Sequence, residues 1–252
     1  MNSTIAQNHR KNSMATGILT ESQAARLRAI ARRYKPKMGR SWKHLTTDQL
    51  WLRVLSQIVV AGNAAPADML VNSEAVKEKL SFSRLKRLRP RQRRQLLHSV
   101  LRAIGTRYVG KQAPNRKVDA AVHNFNALAD AGGPKKFFEG VAAFPKEEER
   151  IQFLNNKKPN KKTFQYYGKK GARDTLIELR LAKNCLALDG RILGLLEEVG
   201  VRVKRGSLNR NYEMIETALV EKVARPLGFS GGQLDRILFQ NYGDIMIRLR
   251  CP

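Results

Sequence analysis

Lys170 and Asp189 lie in the stretch GKKGARDTLIELRLAKNCLALDGRIL, which runs from Gly168 to Leu193. A lysine amine becomes a nucleophile when burial or a neighbouring cation lowers its proton affinity, and Lys169 is such a neighbour. A carboxylate in an apolar setting can stabilise a cation that develops beside it. The plain alternatives are that an acid at a helix start is a cap, and that a lysine after a glycine contacts phosphate or simply faces solvent. Lys169 competes with Lys170 for the reactive role.

The elements around these two residues read as helical. YYGKK, residues 166 to 170, is a tight turn, followed by a helix starting near Gly171. Such a turn points backbone N–H groups outward and leaves the next helix with a positive N-terminus, which suits a phosphate. LALDGRILGLLEEVG then opens another helix with Asp189 at its start and Leu188, Ile192, Leu195 and Val199 on its core face.

Upstream, Thr46 and Gln49 have capping-box spacing before LWLRVLSQIVVAG, a buried helix that Gly62 ends. Pro66 marks another helix start. Seven basic residues between Arg84 and Arg94 read as a basic turn feeding an amphipathic helix that Gly105 closes. Further helices are expected near 20–30, 116–130, 134–141, 146–155, 172–181, 188–199, 209–225 and 231–242. No period-two run with hairpin turns occurs, so the fold class is all-α without internal repeats.

Forty-eight Lys and Arg against 21 Asp and Glu give a formal charge of +27. Counterion release rewards such a surface on a polyanion, and nucleic acid is the first partner it implies. Nothing approaches a membrane-spanning apolar run and the N-terminus has no signal-like segment, so no membrane partner is expected. Cys185 and Cys251 are too few for a four-thiolate cluster and suit a reducing, intracellular setting, and the expected location is cytoplasmic or nucleoid-associated. His9, His44, His98 and His123 lack ligand spacing, so neither metal nor other cofactor is expected.

Gly168, Lys170, Ala172 and, further on, Asp189 within ALDGRIL resemble the helix-hairpin-helix DNA glycosylases, whose hairpin reads roughly P-G-x-G-x-K-x-A before a later acid. The similarity is greatest to the 8-oxoguanine glycosylases that carry no iron–sulfur cluster, and it threads over roughly residues 45 to 245. Tyr166 and Gln165 stand where the family has glycine and proline, and Gly190 follows the acid in place of the commoner threonine or arginine.

The resemblance implies two helical lobes with an active-site cleft between them. Residues 1–18 would be an unstructured N-terminus, 19–45 a helix packing on the C-terminal lobe and 46–158 a helical lobe. Residues 159–181 would form the hairpin, and 182–252 the helix of the acid and the C-terminal helices. It implies a base-excision-repair glycosylase with AP lyase activity, in which Lys170 attacks C1′ and forms a Schiff base while Asp189 stabilises the sugar cation. Tyr167, Gly168, Lys169, Gly171 and Ala172 would contact DNA. Asn63 first, and Gln57 second, would fill the gap left by the flipped base, and Phe239, Gln233 and Trp51 would line the base pocket. The partner would be double-stranded DNA with a damaged base or abasic site, met by a monomer. The open alternatives are a glycosylase of the same fold for another base and a non-catalytic hairpin that binds DNA or RNA.

Overall fold

The computed structural model describes residues 18–60, 65–107, 109, 116–155, 163–203 and 208–250. Its α-helices, in chain order, are α1 (Glu21–Ala31), α2 (Thr47–Val59), α3 (Ala65–Asn72), α4 (Glu74–Lys79), α5 (Phe82–Arg87), α6 (Pro90–Ala103) and α7 (Arg116–Asp130). They continue with α8 (Pro134–Ala142), α9 (Glu147–Leu154), α10 (Lys169–Glu178), α11 (Gly190–Glu198), α12 (Leu208–Leu219), α13 (Gly231–Gln240) and α14 (Tyr242–Arg250). No strand occurs among the described residues, so the fold is all-α. No helix among them is long and apolar enough to cross a membrane. The chain divides into two compact units, Arg40–Leu181 and a second made of Met1–Gly39 with Ala182–Pro252.

In the unit Arg40–Leu181, α2 is the central element. Thr46 and Gln49 close the capping box that their spacing predicts, at 2.9 and 3.1 Å. Leu50, Trp51, Val54, Leu55, Ile58 and Val59 are all buried. The Trp51 ring packs edge-on against Phe125 at 5.6 Å and Phe82 at 6.4 Å, and its indole N–H donates to the Leu80 carbonyl at 2.8 Å. The basic run is not the turn expected of it. Ser81 caps α5 through the Arg84 N–H, so Arg84 to Arg87 are helical, and Pro90 starts α6 two residues after α5 is capped at Leu88.

In the other unit, α1 packs through Ala24, Leu27 and Ala31 into a core shared with α11 to α14. Residues 209–225, expected as one helix, are helical throughout but change type. α12 gives way to a π turn at Val220–Ala224 and a 3-10 turn at Arg225–Leu227, and Gly228 closes it with φ 71°. The cause is Pro226, which has no N–H to donate and whose ring would strike the Lys222 carbonyl in a regular helix. The displaced Lys222 carbonyl instead accepts the Arg28 guanidinium at 2.6 Å, fastening α1 in place. The final helix, α14, has no counterpart among the expected segments.

Candidate active site

The turn that precedes α10 is held from beneath. Phe164 stacks on Phe137 at 4.6 Å and meets Tyr167 at 5.0 Å, so two side chains of the turn are driven into the core of its unit. The backbone is clamped as well. Asn124 accepts the Gln165 N–H at 2.6 Å and donates to the Gln165 carbonyl at 3.0 Å, and His123 Nε2 lies 2.8 Å from the Thr163 carbonyl oxygen.

Between these anchors Tyr166 takes φ 66°, the left-handed conformation that glycine adopts without strain, while its ring is 40% exposed. The clamp thus keeps the turn that the sequence puts in doubt. Tyr166→Gly should leave the unfolding free energy within about 1 kcal/mol, strain relief offsetting lost ring contacts. Tyr166→Val, β-branched in the same conformation, should cost about 1–2 kcal/mol more in a denaturant titration.

Two predicted DNA contacts need correction at this turn. Tyr167 is buried, its hydroxyl donating to the Val54 carbonyl at 3.3 Å and accepting from Thr175 at 3.4 Å. Burial pushes this phenol well above its ordinary value, the Thr175 bond offsets part of that, and Asp174 adds to the rise. The Ala172 side chain is also buried, and its N–H is spent on the Gly168 carbonyl. Neither side chain can touch a ligand. α10 begins at Lys169, two residues before the expected start, with Gly168 as its N-cap and no side-chain cap bond. An uncapped N-terminus presents its first N–H groups and dipole to an anion. The first helix of the hairpin expected over 159–181 falls largely on residues 159–162, outside the described residues.

Lys170 and Gln57 are brought together by a residue the sequence reading passed over. Asp174 Oδ2 accepts Lys170 Nζ at 2.6 Å and the Gln57 amide at 3.0 Å. Gln57 lies across the α10 turn, its Oε1 3.8 Å from where a Cβ on Gly171 would stand. Asp174 was visible four residues after Lys170, a spacing that places the two on one helix face. Asn63 lies outside the described residues. Trp51, expected in the base pocket, is instead a fully buried core residue whose donor is already used.

In the other unit Asp189 is the N-cap of α11. Its Oδ1 accepts the N–H groups of Arg191 and Ile192, each at 3.0 Å, and Oδ2 accepts no hydrogen bond among the described residues. The extended segment before it has no strand to pair with, so buried side chains satisfy its backbone. Leu186 N–H donates to Glu216 at 2.8 Å, Ala187 N–H to Asp235 at 2.7 Å and Leu188 N–H to the Tyr212 hydroxyl at 2.8 Å. Tyr212 in turn donates to the Leu186 carbonyl at 2.9 Å.

Gly231 brings the start of α13 against this segment, since a Cβ there would lie 3.0 Å from Asn184 C and Cys185 N. Asp235→Ala would strand the Ala187 N–H and remove a 2.9 Å partner from Arg236. A loss of about 3 kcal/mol in thermal unfolding is expected, the usual scale for breaking a buried charged network.

Phe239 belongs to the same neighbourhood. The Arg191 guanidinium lies 4.4 Å over its ring and that of Arg236 at 5.7 Å, so cations occupy the ring that was expected to stack a base. Gln233, expected in the pocket, forms the capping box of α13 with Ser230 as its partner at 2.8 and 3.2 Å. No group of three or more His, Cys, Asp or Glu fit for a metal occurs among the described residues.

Three solved structures are similar to this chain. One is the 8-oxoguanine DNA glycosylase of Methanocaldococcus jannaschii, at TM-score 0.56 and 18% identity over 80% of this chain and 81% of that one. A second is the 8-oxoguanine glycosylase/lyase of the same organism in complex with a 15mer DNA containing 8-oxoguanine, at TM-score 0.58 and 18% identity over 80% and 84%. The third is the 8-oxoguanine DNA glycosylase of Thermotoga maritima, at TM-score 0.56 and 18% identity over 94% of each chain. The chain therefore has the fold of the 8-oxoguanine DNA glycosylases. No family model matches the sequence. No curated protein matches it.

Proposed function

We propose that this chain is a bifunctional DNA glycosylase and AP lyase that excises an oxidised purine, 8-oxoguanine first, from double-stranded DNA. The observation that carries the reading is Lys170, 31% exposed in the first turn of an uncapped helix behind a clamped turn, on a chain with this fold. The net charge of +27 supports a DNA partner.

The chemistry assigns each group a task. The flipped nucleotide presents C1′, and the uncharged Lys170 amine attacks it as the C1′–base bond breaks and its electron pair leaves on the base. Asp189 stabilises the positive charge that gathers on the sugar, through the oxygen that the helix cap leaves open. Ring opening gives a Schiff base on Lys170, and β-elimination then expels the 3′ phosphate. The first turn of α10 holds a backbone phosphate.

The test is a panel of duplexes, each holding one 8-oxoguanine, another oxidised purine, an oxidised pyrimidine, uracil or an abasic site. Each is scored for base release and for strand cleavage. Release of 8-oxoguanine with cleavage is expected. Tight binding of every duplex without release would overturn the reading in favour of a non-catalytic binder. Release of a different base alone would move the substrate while keeping the chemistry.

A further inference from the structure

Lys170 is paired before any substrate arrives, and the partner is arranged in a way that a stabilising surface ion pair does not need. The Nζ to Oδ2 distance is 2.6 Å, with the Lys170 side chain 31% and that of Asp174 16% exposed. The order along the helix, lysine before acid, is the weaker one. It sets a cation near the positive N-terminus, so helix stabilisation is a poor reason for the pair. Gln57, from α2, fixes the same carboxylate oxygen with its amide at 3.0 Å. A tertiary contact therefore aims Oδ2 at the amine.

Resting on the proposed lysine chemistry, we infer that Asp174 is the base that takes the Lys170 proton when DNA covers the site. Nζ cannot attack C1′ while it is an ammonium. Exclusion of water penalises both charges of the pair, and moving one proton along the existing hydrogen bond removes both at once. The Nζ–H bond breaks and an Oδ2–H bond forms, leaving the electron pair on nitrogen. That pair makes the bond to C1′ as the glycosidic pair departs on the base. The proton lost from the new C1′-bound nitrogen balances the one the base takes up.

Other charged and titratable groups flank Asp174. On its own helix it faces Lys170, while Arg173 is directed to the Lys169 carbonyl at 3.3 Å and Glu178 pairs with Arg53 of α2. From the turn it meets the field of Tyr167, a phenol whose ionisation burial opposes. From α9, Arg150 is bound to the carbonyls of Ala142, Phe144 and Leu181.

The ion pair and the neutral pair hold the same number of protons. Single-turnover excision of 8-oxoguanine by the unaltered protein should therefore be level with pH between the two apparent pKa values of the pair. In Asp174→Asn the amine must lose its proton to solvent. Excision near pH 7 should fall on the order of 10²-fold, the usual contribution of a general base. Its logarithm should then climb with a slope of about one per pH unit toward the ionisation of the free amine.

Asp174→Glu keeps a carboxylate and should keep a level profile. Asp174→Ala should regain rate on addition of formate. Asparagine can hold both neighbours, so circular dichroism should show the fold unchanged. An Asn variant that is slower but level, or an Ala variant that formate does not help, would overturn the inference while leaving the lysine chemistry intact. Failure of borohydride to trap the unaltered protein on any damaged duplex would instead overturn the proposed function itself.

Discussion

Lys170→Gln should abolish borohydride trapping of the protein on a duplex holding 8-oxoguanine or an abasic site. Glutamine has no amine to form an imine, so nothing is left to reduce. Loss of a covalent nucleophile removes roughly three orders of magnitude or more of rate, and the trapped species should fall to background. The substitution is otherwise mild. It forfeits one partly exposed ion pair, for which glutamine substitutes a hydrogen bond to Asp174, so stability should change by about 0.5 kcal/mol or less. Affinity for damaged duplex should fall by about tenfold at most and its salt dependence by about one ion, because one positive charge is lost from the site. Trapping that persists in this variant would move the nucleophile elsewhere, with Lys169 the next residue to replace.

Asp189→Asn should lower excision of 8-oxoguanine by about 10² to 10³-fold, the usual cost of removing a group that stabilises transition-state charge. Asparagine is as good an N-cap as aspartate, and its single carbonyl oxygen can accept the Arg191 and Ile192 N–H groups that Oδ1 now holds. The fold should therefore survive with a loss of about 1 kcal/mol or less, mostly from the charge at the helix terminus. That separates cap from catalyst at one position. Trapping on a preformed abasic site needs no glycosidic cleavage, so it should fall much less than excision does. Equal loss on both substrates, or no loss on either, would remove Asp189 from bond cleavage.

Much of this site was legible because its signals are local. The capping box at Thr46 and Gln49 and the cap at Asp189 are formed by residues within three positions of one another, and a one-dimensional pattern contains all that they need. Lys170 stands out through the register after Gly168 that the resemblance supplies, and that register too is local. Less legible is a proline's action on a carbonyl four residues away: Pro226 follows the helix expected over 209–225, which stays helical but loosens to a π turn at Val220–Ala224.

What the sequence by itself determined is an all-α chain of strongly positive charge, with a lysine behind a tight turn and an acid at a helix start. Tertiary structure alone decided which side chains are available. Tyr167 and Trp51 were both read as ligand-facing aromatics, and both are buried because Val54, Phe164, Phe82 and Phe125 close around them. Glu216, Asp235 and Tyr212 look like the polar face of amphipathic helices. They turn inward because the segment leading to Asp189 lacks a neighbouring strand, and an unpaired buried N–H costs more than a buried acid that receives it. Asp174 is the sharpest instance. Its spacing from Lys170 could be counted, but its aim depends on Gln57, more than a hundred residues earlier, and no local pattern records a bond between two helices.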